Sequence, residues 1–389
     1  MTGLVSIASN TVGMPTGYGQ QGELLARRLL ADGYKVANFS NYGLEGGMGE
    51  IPYPEGVVKH YPRGLSLYSD DVIPAHHEHF TQGSKDPSMI LTLYDVWVYQ
   101  NPRLDDFKIA SWTPVDHLTL PSKVQAWVNK PNVLPIAMAP NGKRLFDEAG
   151  IESTYIPHAI DTAIYKPTPE WQGKPIREFM RTEGKFVVGM VAANKANGQI
   201  HRKAFAENLL AFSIFYKTHP DAILYLHTEV SRAYNGFDIL GLLRRLGVPP
   251  EAVILPHPYE LRYNFPAEQL AAFYSGLDVL LATSYGEGFG VPTVEAQACG
   301  VRVIGSNWAA TPDLVSEDCW LVDGQVFWNE AMEAWFQIPK VESIVNALED
   351  AYTAPRSPSQ ASIEFASQFD THKVYEAFWK PFLAEHLKR

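Results

Sequence analysis

The residues that could do chemistry are concentrated in Ser284–Gly300, read as SYGEGFGVPTVEAQACG, which follows the apolar run Leu277–Ala282. Gly286, Gly288 and Gly290 flank Glu287 and Phe289, and Glu295 stands eight residues after Glu287. An apolar strand, a glycine-rich turn and a short helix are how an open α/β sheet presents backbone to a ligand at its carboxyl edge. Pro292 suits the start of that helix and Gly300 its end. A carboxylate in such a turn can hold sugar hydroxyls or offset developing positive charge, and one in the first helical turns can accept from a diol. The plainer reading, an ordinary helix-start acid and a solvated loop acid, is disfavoured by the three alternating glycines.

Other candidates stand at predicted strand ends. Arg202 and Lys203 fall between a strand, Phe186–Ala192, and a helix, Ala204–Phe215, where side-chain charge and helix N–H groups can act together on a diphosphate. Asp116 and His117 end the run Ile109–Trp112 and its extension, and can orient an acceptor hydroxyl or take its proton. Asp95 is a weaker candidate of the same kind. The first strand, Leu4–Ala8, leads into a loop with Gly17 and Gly19 at a helix start. The segment GYGQQG has dinucleotide-type glycine spacing, but the long loop before it and the absence of an acid after the next strand argue against NAD.

The pattern E-G-F-G-x-P-x-x-E-A-x-A-x-G resembles the signature of the retaining glycosyltransferases of family 4. The resemblance implies an α/β GT-B fold, with two Rossmann-like domains facing across a cleft. It further implies that Glu287 lies beside the donor sugar and that Glu295 binds the nucleotide ribose. Gly288, Phe289 and Gly290 would line the donor, Lys203 would match the diphosphate lysine, and Gly17 and Gly19 would face the donor phosphates. His257, in the turn Pro256–Pro258, falls where such enzymes offer backbone to the nucleobase. The usual partner arginine of the lysine is missing, Asn194 stands near its place, and Arg202 is the substitute. WTPVDH, Trp112–His117, is similar to a segment of some members, and many relatives carry a cleft histidine near this point. Thr154–Pro167 resembles the segment that closes the first domain, with His158 in place of the usual asparagine and Asp161 capping a turn.

A chain of 389 residues is long enough for two cores. The expected division is residues 1–168 plus 370–389 as the acceptor-side domain, 169–184 as linker, and 185–369 as the nucleotide-sugar domain. A net charge of −11 argues against a protein that coats nucleic acid. Two cysteines give neither a disulfide framework nor a metal cluster, and with no signal-like start or long apolar run the expected location is the cytoplasm. Tyr42–Pro87 shows little periodicity and reads as an irregular acceptor-recognition insertion, with His76, His77 and His79 as a solvated or substrate-facing cluster. Phe327, Trp328, Trp335 and Phe336 read as core, with a sugar platform as the alternative.

The expected function is metal-independent transfer of a sugar, with retention, from a nucleoside diphosphate sugar to a hydroxyl acceptor, without a further cofactor. Base, sugar, acceptor and oligomeric state are open. A sugar-nucleotide epimerase or hydrolase of the same architecture, or a catalytically silent sugar-nucleotide binding module, are the alternatives.

Overall fold

The computed structural model describes residues 3–43, 46–196, 200–232, 235–263, 265–356 and 358–387. Two open sheets, each with helices on its faces, make up two lobes. The first sheet has eight strands in the order 49–53, 56–61, 35–40, 4–9, 88–92, 109–113, 133–137, 154–155, and all its pairings except the first are parallel. The second has six parallel strands in the order 253–254, 222–227, 186–191, 279–282, 302–306, 320–322. In each sheet the order reverses beside the first strand of the lobe. That reversal opens a crevice at the carboxyl edge, where ligands of such sheets bind.

The strands are apolar without alternation because both faces are covered. Leu4–Ser9 and Ile109–Thr113 are buried along their whole length. Helix Gly17–Ala31 turns Leu25, Ala26 and Leu29 onto the first sheet. It is fixed sideways by Gln21, whose amide donates to Ala159 O (2.6 Å) and accepts from Ala159 N (2.8 Å).

Tyr42–Pro87 is more regular than its sequence suggests. It contains the antiparallel pair Gly49–Tyr53 and Gly56–Tyr61, and helix Ile73–Thr81. Of the histidines of that helix, His77 is buried and His76 half-buried, while His79 stays exposed. His77 is buried between Ser6 Oγ (2.8 Å) and Ser88 Oγ (3.3 Å), His76 meets Pro62 O (3.1 Å), and His79 meets the Tyr61 hydroxyl (2.9 Å). The short apolar stretches there escape periodicity because each spans barely two turns or five residues.

Residues 169–184 are also folded. A two-residue hairpin, Glu170–Trp171 with Lys174–Pro175, precedes helix Ile176–Met180, which buries Ile176 and Met180 beside helix Ala267–Ser275 of the second lobe. After helix Gln360–Ala366 the chain returns to the first lobe. The crossing is paired to the outgoing chain by an isolated bridge: Ile160 N donates to Phe369 O (2.9 Å) and Thr371 N to Ile160 O (2.9 Å). The final helical run, 371–386, then packs on the first lobe. Trp379 meets Trp112 edge-on at 4.9 Å, Tyr375 donates to Asp32 (3.0 Å), and Lys108 donates to His386 O (2.6 Å).

Candidate active site

The glycine-rich turn leaves strand Val279–Ala282 and is held on several sides before it reaches Glu287. Ser284 N donates to Ser306 Oγ (2.9 Å), and Tyr285 O accepts from Trp308 Nε1 (3.0 Å) and Gln337 N (3.1 Å). Gly290 has φ +89°, a left-handed conformation that a side chain would strain, and it starts helix Val291–Ala298. Gly286 serves a different need. A Cβ there would fall inside the radius of Asp116 O, so the turn can lie directly against the first lobe only as glycine. Gly288 likewise faces Pro114, where a Cβ would sit 3.0 Å from the proline ring.

This contact brings the two halves of the candidate chemistry together. Lys203 Nζ lies 2.6 Å from Glu287 Oε1, and Arg202 Nη1 lies 3.0 Å from Glu287 Oε2 and also donates to Gly286 O. Arg202 Nε approaches Asp116 Oδ2 at 3.5 Å, across the lobes. The basic pair is aimed by an unusual backbone: Ala204, fully buried, has φ +49° and turns the chain into helix Phe205–Tyr216. Strain of about 1–2 kcal/mol at a non-glycine residue persists only where the surroundings impose it. Asn208 imposes part of it, because its amide donates to Thr283 O (3.2 Å) and ties the helix to the motif strand.

The charges shape one another. Burial would raise the carboxyl of Glu287, but Lys203 and Arg202 outweigh it and hold the group below its usual range. For Asp116, burial is likewise overcome by His117 and Arg202, which hold it at about 2. Burial pushes Asp95 the other way, to about 6, with Asp116 adding to the effect. Burial lowers Lys203, and the neighbouring Arg202 acts in the same sense, against Glu287. Burial alone would weaken Arg202 as a cation; Glu287 and Asp116 outweigh it and keep it protonated.

His117 is 2% exposed, and both of its ring nitrogens face protein groups. Its Nδ1 lies 2.7 Å from Asp116 Oδ1, bent from the ideal line, and its Nε2 faces the Asn329 amide at 3.2 Å. Its ring stacks on Phe336 at 3.8 Å between centroids. Asn329 and Phe336 belong to the antiparallel hairpin Gly324–Asn329 with Ala334–Pro339, which crosses from the second lobe and gives Trp335 O to Leu118 N (2.8 Å). The sequence offered no signal for the cover of His117, since Asn329 and Phe336 lie more than 200 positions away. The hairpin's aromatics divide by strand face: Phe336 is buried, while Trp328 and Trp335 are 44% and 39% exposed.

The other candidates are not in this charge network. Glu295 is buried on helix Val291–Ala298, accepts from the Tyr274 hydroxyl (3.0 Å), and is pushed by burial to about 7. Phe289 has its side chain in the core between His158 (5.2 Å) and Phe369 (5.5 Å), so only its backbone is available to a ligand. His257 is exposed and accepts from Tyr259 N (3.3 Å). Gly17 is exposed at the start of its helix with nothing within 4 Å of a Cβ, whereas Gly19 is a tight-turn glycine against Met14 O and Thr11 O. Asn194 is fully used in holding the next loop: its amide donates to Glu229 O, Ser231 O and Phe237 O. Among the described residues no group of three His, Cys, Asp or Glu could hold a metal, and no helix is long and apolar enough to cross a membrane.

Residues 254–337, which include the motif turn and most of the hairpin, match the family described as glycosyl transferases group 1. The chain has the GT-B fold, and its segment 254–337 is similar to the group 1 glycosyl transferases. This GT-B chain superposes along 99% of its length on sucrose-phosphate synthase from Thermosynechococcus elongatus, with a TM-score of 0.72, 16% identity and 99% of that chain covered. An Anabaena protein solved with UDP and glucose, Alr3699/HepE, gives 0.64 at 14% identity, covering 98% of this chain and 99% of that one. At such identities the likeness concerns the fold. In sequence, the D-inositol 3-phosphate glycosyltransferase of Segniliparus rotundus is 27% identical over 159 residues, 39% of this chain. The enzyme of that name from Mycolicibacterium smegmatis is 29% identical over 139 residues, 36% of this chain. These matches span about a third of the length of the curated relatives, 33% and 28% respectively.

Proposed function

We propose that this GT-B protein transfers a sugar, with retention and without a metal, from a nucleoside diphosphate sugar to a hydroxyl acceptor. The observation that carries the reading is Glu287 between Lys203 and Arg202, with Asp116 approaching Arg202 from the other lobe. Two cations beside one carboxylate make a site in which a diphosphate can compete for the cations and release the carboxylate toward the sugar. As the anomeric C–O bond to the diphosphate breaks, Arg202 and Lys203 take up the charge of the leaving group. Glu287 favours the cationic transition state. The acceptor oxygen bonds to the same face of the anomeric carbon, and its proton leaves with the diphosphate.

Asp116 rather than His117 is the group offered to the acceptor, because both nitrogens of His117 face protein partners. His117 then acts as a positioning residue. Gly17, at a helix start without an acid in its first turn, and the backbone of Gly288–Gly290 are the remaining donor contacts. Gly19 shapes the loop that carries Gly17. Glu295 is assigned to the ribose; Tyr274 now holds its carboxyl, so ribose hydroxyls would share that carboxyl with it. His257 precedes the short helix Pro258–Tyr263, and its backbone is the proposed neighbour of the base.

The test is a mass-spectrometric screen of UDP-, GDP-, ADP- and TDP-sugars with and without a metabolite extract. Acceptor-dependent consumption of one donor with release of its nucleoside diphosphate supports transfer. Free sugar without acceptor indicates a hydrolase, interconversion of the donor an epimerase, and binding without turnover a silent module.

A further inference from the structure

A cavity lies beside the Arg202–Lys203 turn, between the start of helix Phe205–Tyr216 and the hairpin. It holds about 310 Å³, roughly ten waters at about 30 Å³ each. That is room for one sugar ring rather than a chain. Phe237, Tyr285 and Phe327 supply aromatic walls, and Glu207 and His201 the polar groups. The Tyr285 hydroxyl donates to Glu207 Oε1 (3.0 Å). Glu207 Oε2 and His201 Nδ1 are buried atoms with no hydrogen-bond partner among the described residues. Leaving a carboxylate oxygen and a ring nitrogen in this state costs free energy, which a bound hydroxyl compound would recover.

We propose that this cavity is a second carbohydrate site, separate from the Glu287 cluster, that takes a single neutral pyranose. Aromatic faces pack against the C–H face of a sugar ring, while of two vicinal hydroxyls one donates to Glu207 Oε2 and the other pairs with His201 Nδ1, as donor or acceptor according to its tautomer. An ammonium head group would satisfy Glu207 but leave most of the volume empty. The pyranose can be a free sugar or the end of a larger glycan, since the shared chemistry is the ring. The assignment rests on the cavity's own groups and does not depend on the transfer reaction.

Saturation-transfer NMR with methyl α-D-glucopyranoside, methyl α-D-mannopyranoside and methyl α-D-galactopyranoside tests it, with choline as the cationic control. At least one glycoside should bind. Glu207→Gln should weaken that binding at least tenfold, as should Ala206→Phe, which fills the space without removing a polar contact. Glu287→Gln should leave it within twofold. Circular dichroism melting of each variant confirms that it folds. Absence of binding by all three glycosides overturns the proposal, as does binding of choline in their place. So does a glycoside signal that survives Ala206→Phe or disappears in Glu287→Gln. UDP titration of the same samples reports on the donor site separately, so failure of one reading is distinguishable from failure of the other. Among binders, a glucoside-terminated disaccharide that competes with the monosaccharide identifies the end of a glycan as the source, and one that cannot compete identifies a free sugar.

Discussion

Glu287 is neutralised by Lys203 and Arg202, so its removal unbalances two cations rather than one contact. Glu287→Gln should lower turnover by at least about 100-fold while UDP affinity changes by less than tenfold, because the cations that would hold the diphosphate remain. Product formation and calorimetric UDP binding separate the two effects; an equal loss in both would make Glu287 a binding residue instead. A second residue-level prediction concerns His158, which burial between Trp112 and Phe289 pushes down to about 3. The folded protein keeps it neutral while the unfolded chain protonates it below its ordinary value of about 6.5. Its contribution therefore rises with pH between about 3 and 6.5 and is lost as pH falls through that window. His158→Phe removes this dependence. The urea midpoint of the wild type should fall more steeply than that of the variant between pH 7 and pH 4. Parallel curves would show that His158 is not the group that takes up the proton. Asp116 behaves in the same direction at lower pH: its carboxyl, held at about 2, contributes stability that is lost as pH falls from about 4.

The elements explain which of these residues could be read in advance. Glu287, Arg202 and Lys203 stand at strand-to-helix junctions marked by glycines or a basic pair, so local pattern and local structure coincide, and the fold brings all three within 3.0 Å contacts. The engagement of His117 was not legible, because the strand face that covers it belongs to a hairpin more than 200 residues later. Nor was the packing of Ile73–Thr81, a nine-residue helix whose histidines look polar in sequence but bond to Ser6, Pro62 and Tyr61. The hairpin supplies an element-level prediction. Phe336→Ala removes the ring stacked on His117 and should cost about 3–5 kcal/mol of stability if the site does not collapse. It should lower kcat with little change in donor KM, since the hairpin touches Asp116–Thr119, the segment proposed to meet the acceptor. Stability from urea curves and kcat against KM for donor and acceptor check both parts; a change confined to donor KM would place the hairpin's influence elsewhere.

At the scale of the whole molecule, the lobes are joined twice and both crossings run side by side, paired at Ile160 and Asp370. Removal of residues 371–387 should unfold the first lobe selectively. It strips Tyr375, Trp379, Phe382 and Leu383 from a shared core, and each buried side chain of that size contributes about 1.5–3 kcal/mol against a total stability of only about 5–15 kcal/mol. Hydrogen exchange should show protection lost across strands 4–9, 88–92 and 109–113 while strands 186–191 and 279–282 keep theirs. Equal loss in both sheets would mean that the lobes fold as one unit.

The return of the chain to its first lobe also sets an order of events during synthesis. Domains commonly fold as they leave the ribosome, the N-terminal one first. Here the sheet that emerges first lacks the aromatic helix that closes it until residues 186–369 have been made in between. The second lobe, whose strands and helices are contiguous, can close while the first still waits with Trp112 uncovered. The lobe translated first is thus the one completed last, and the nascent chain must keep its apolar edge from other chains for the whole of that interval.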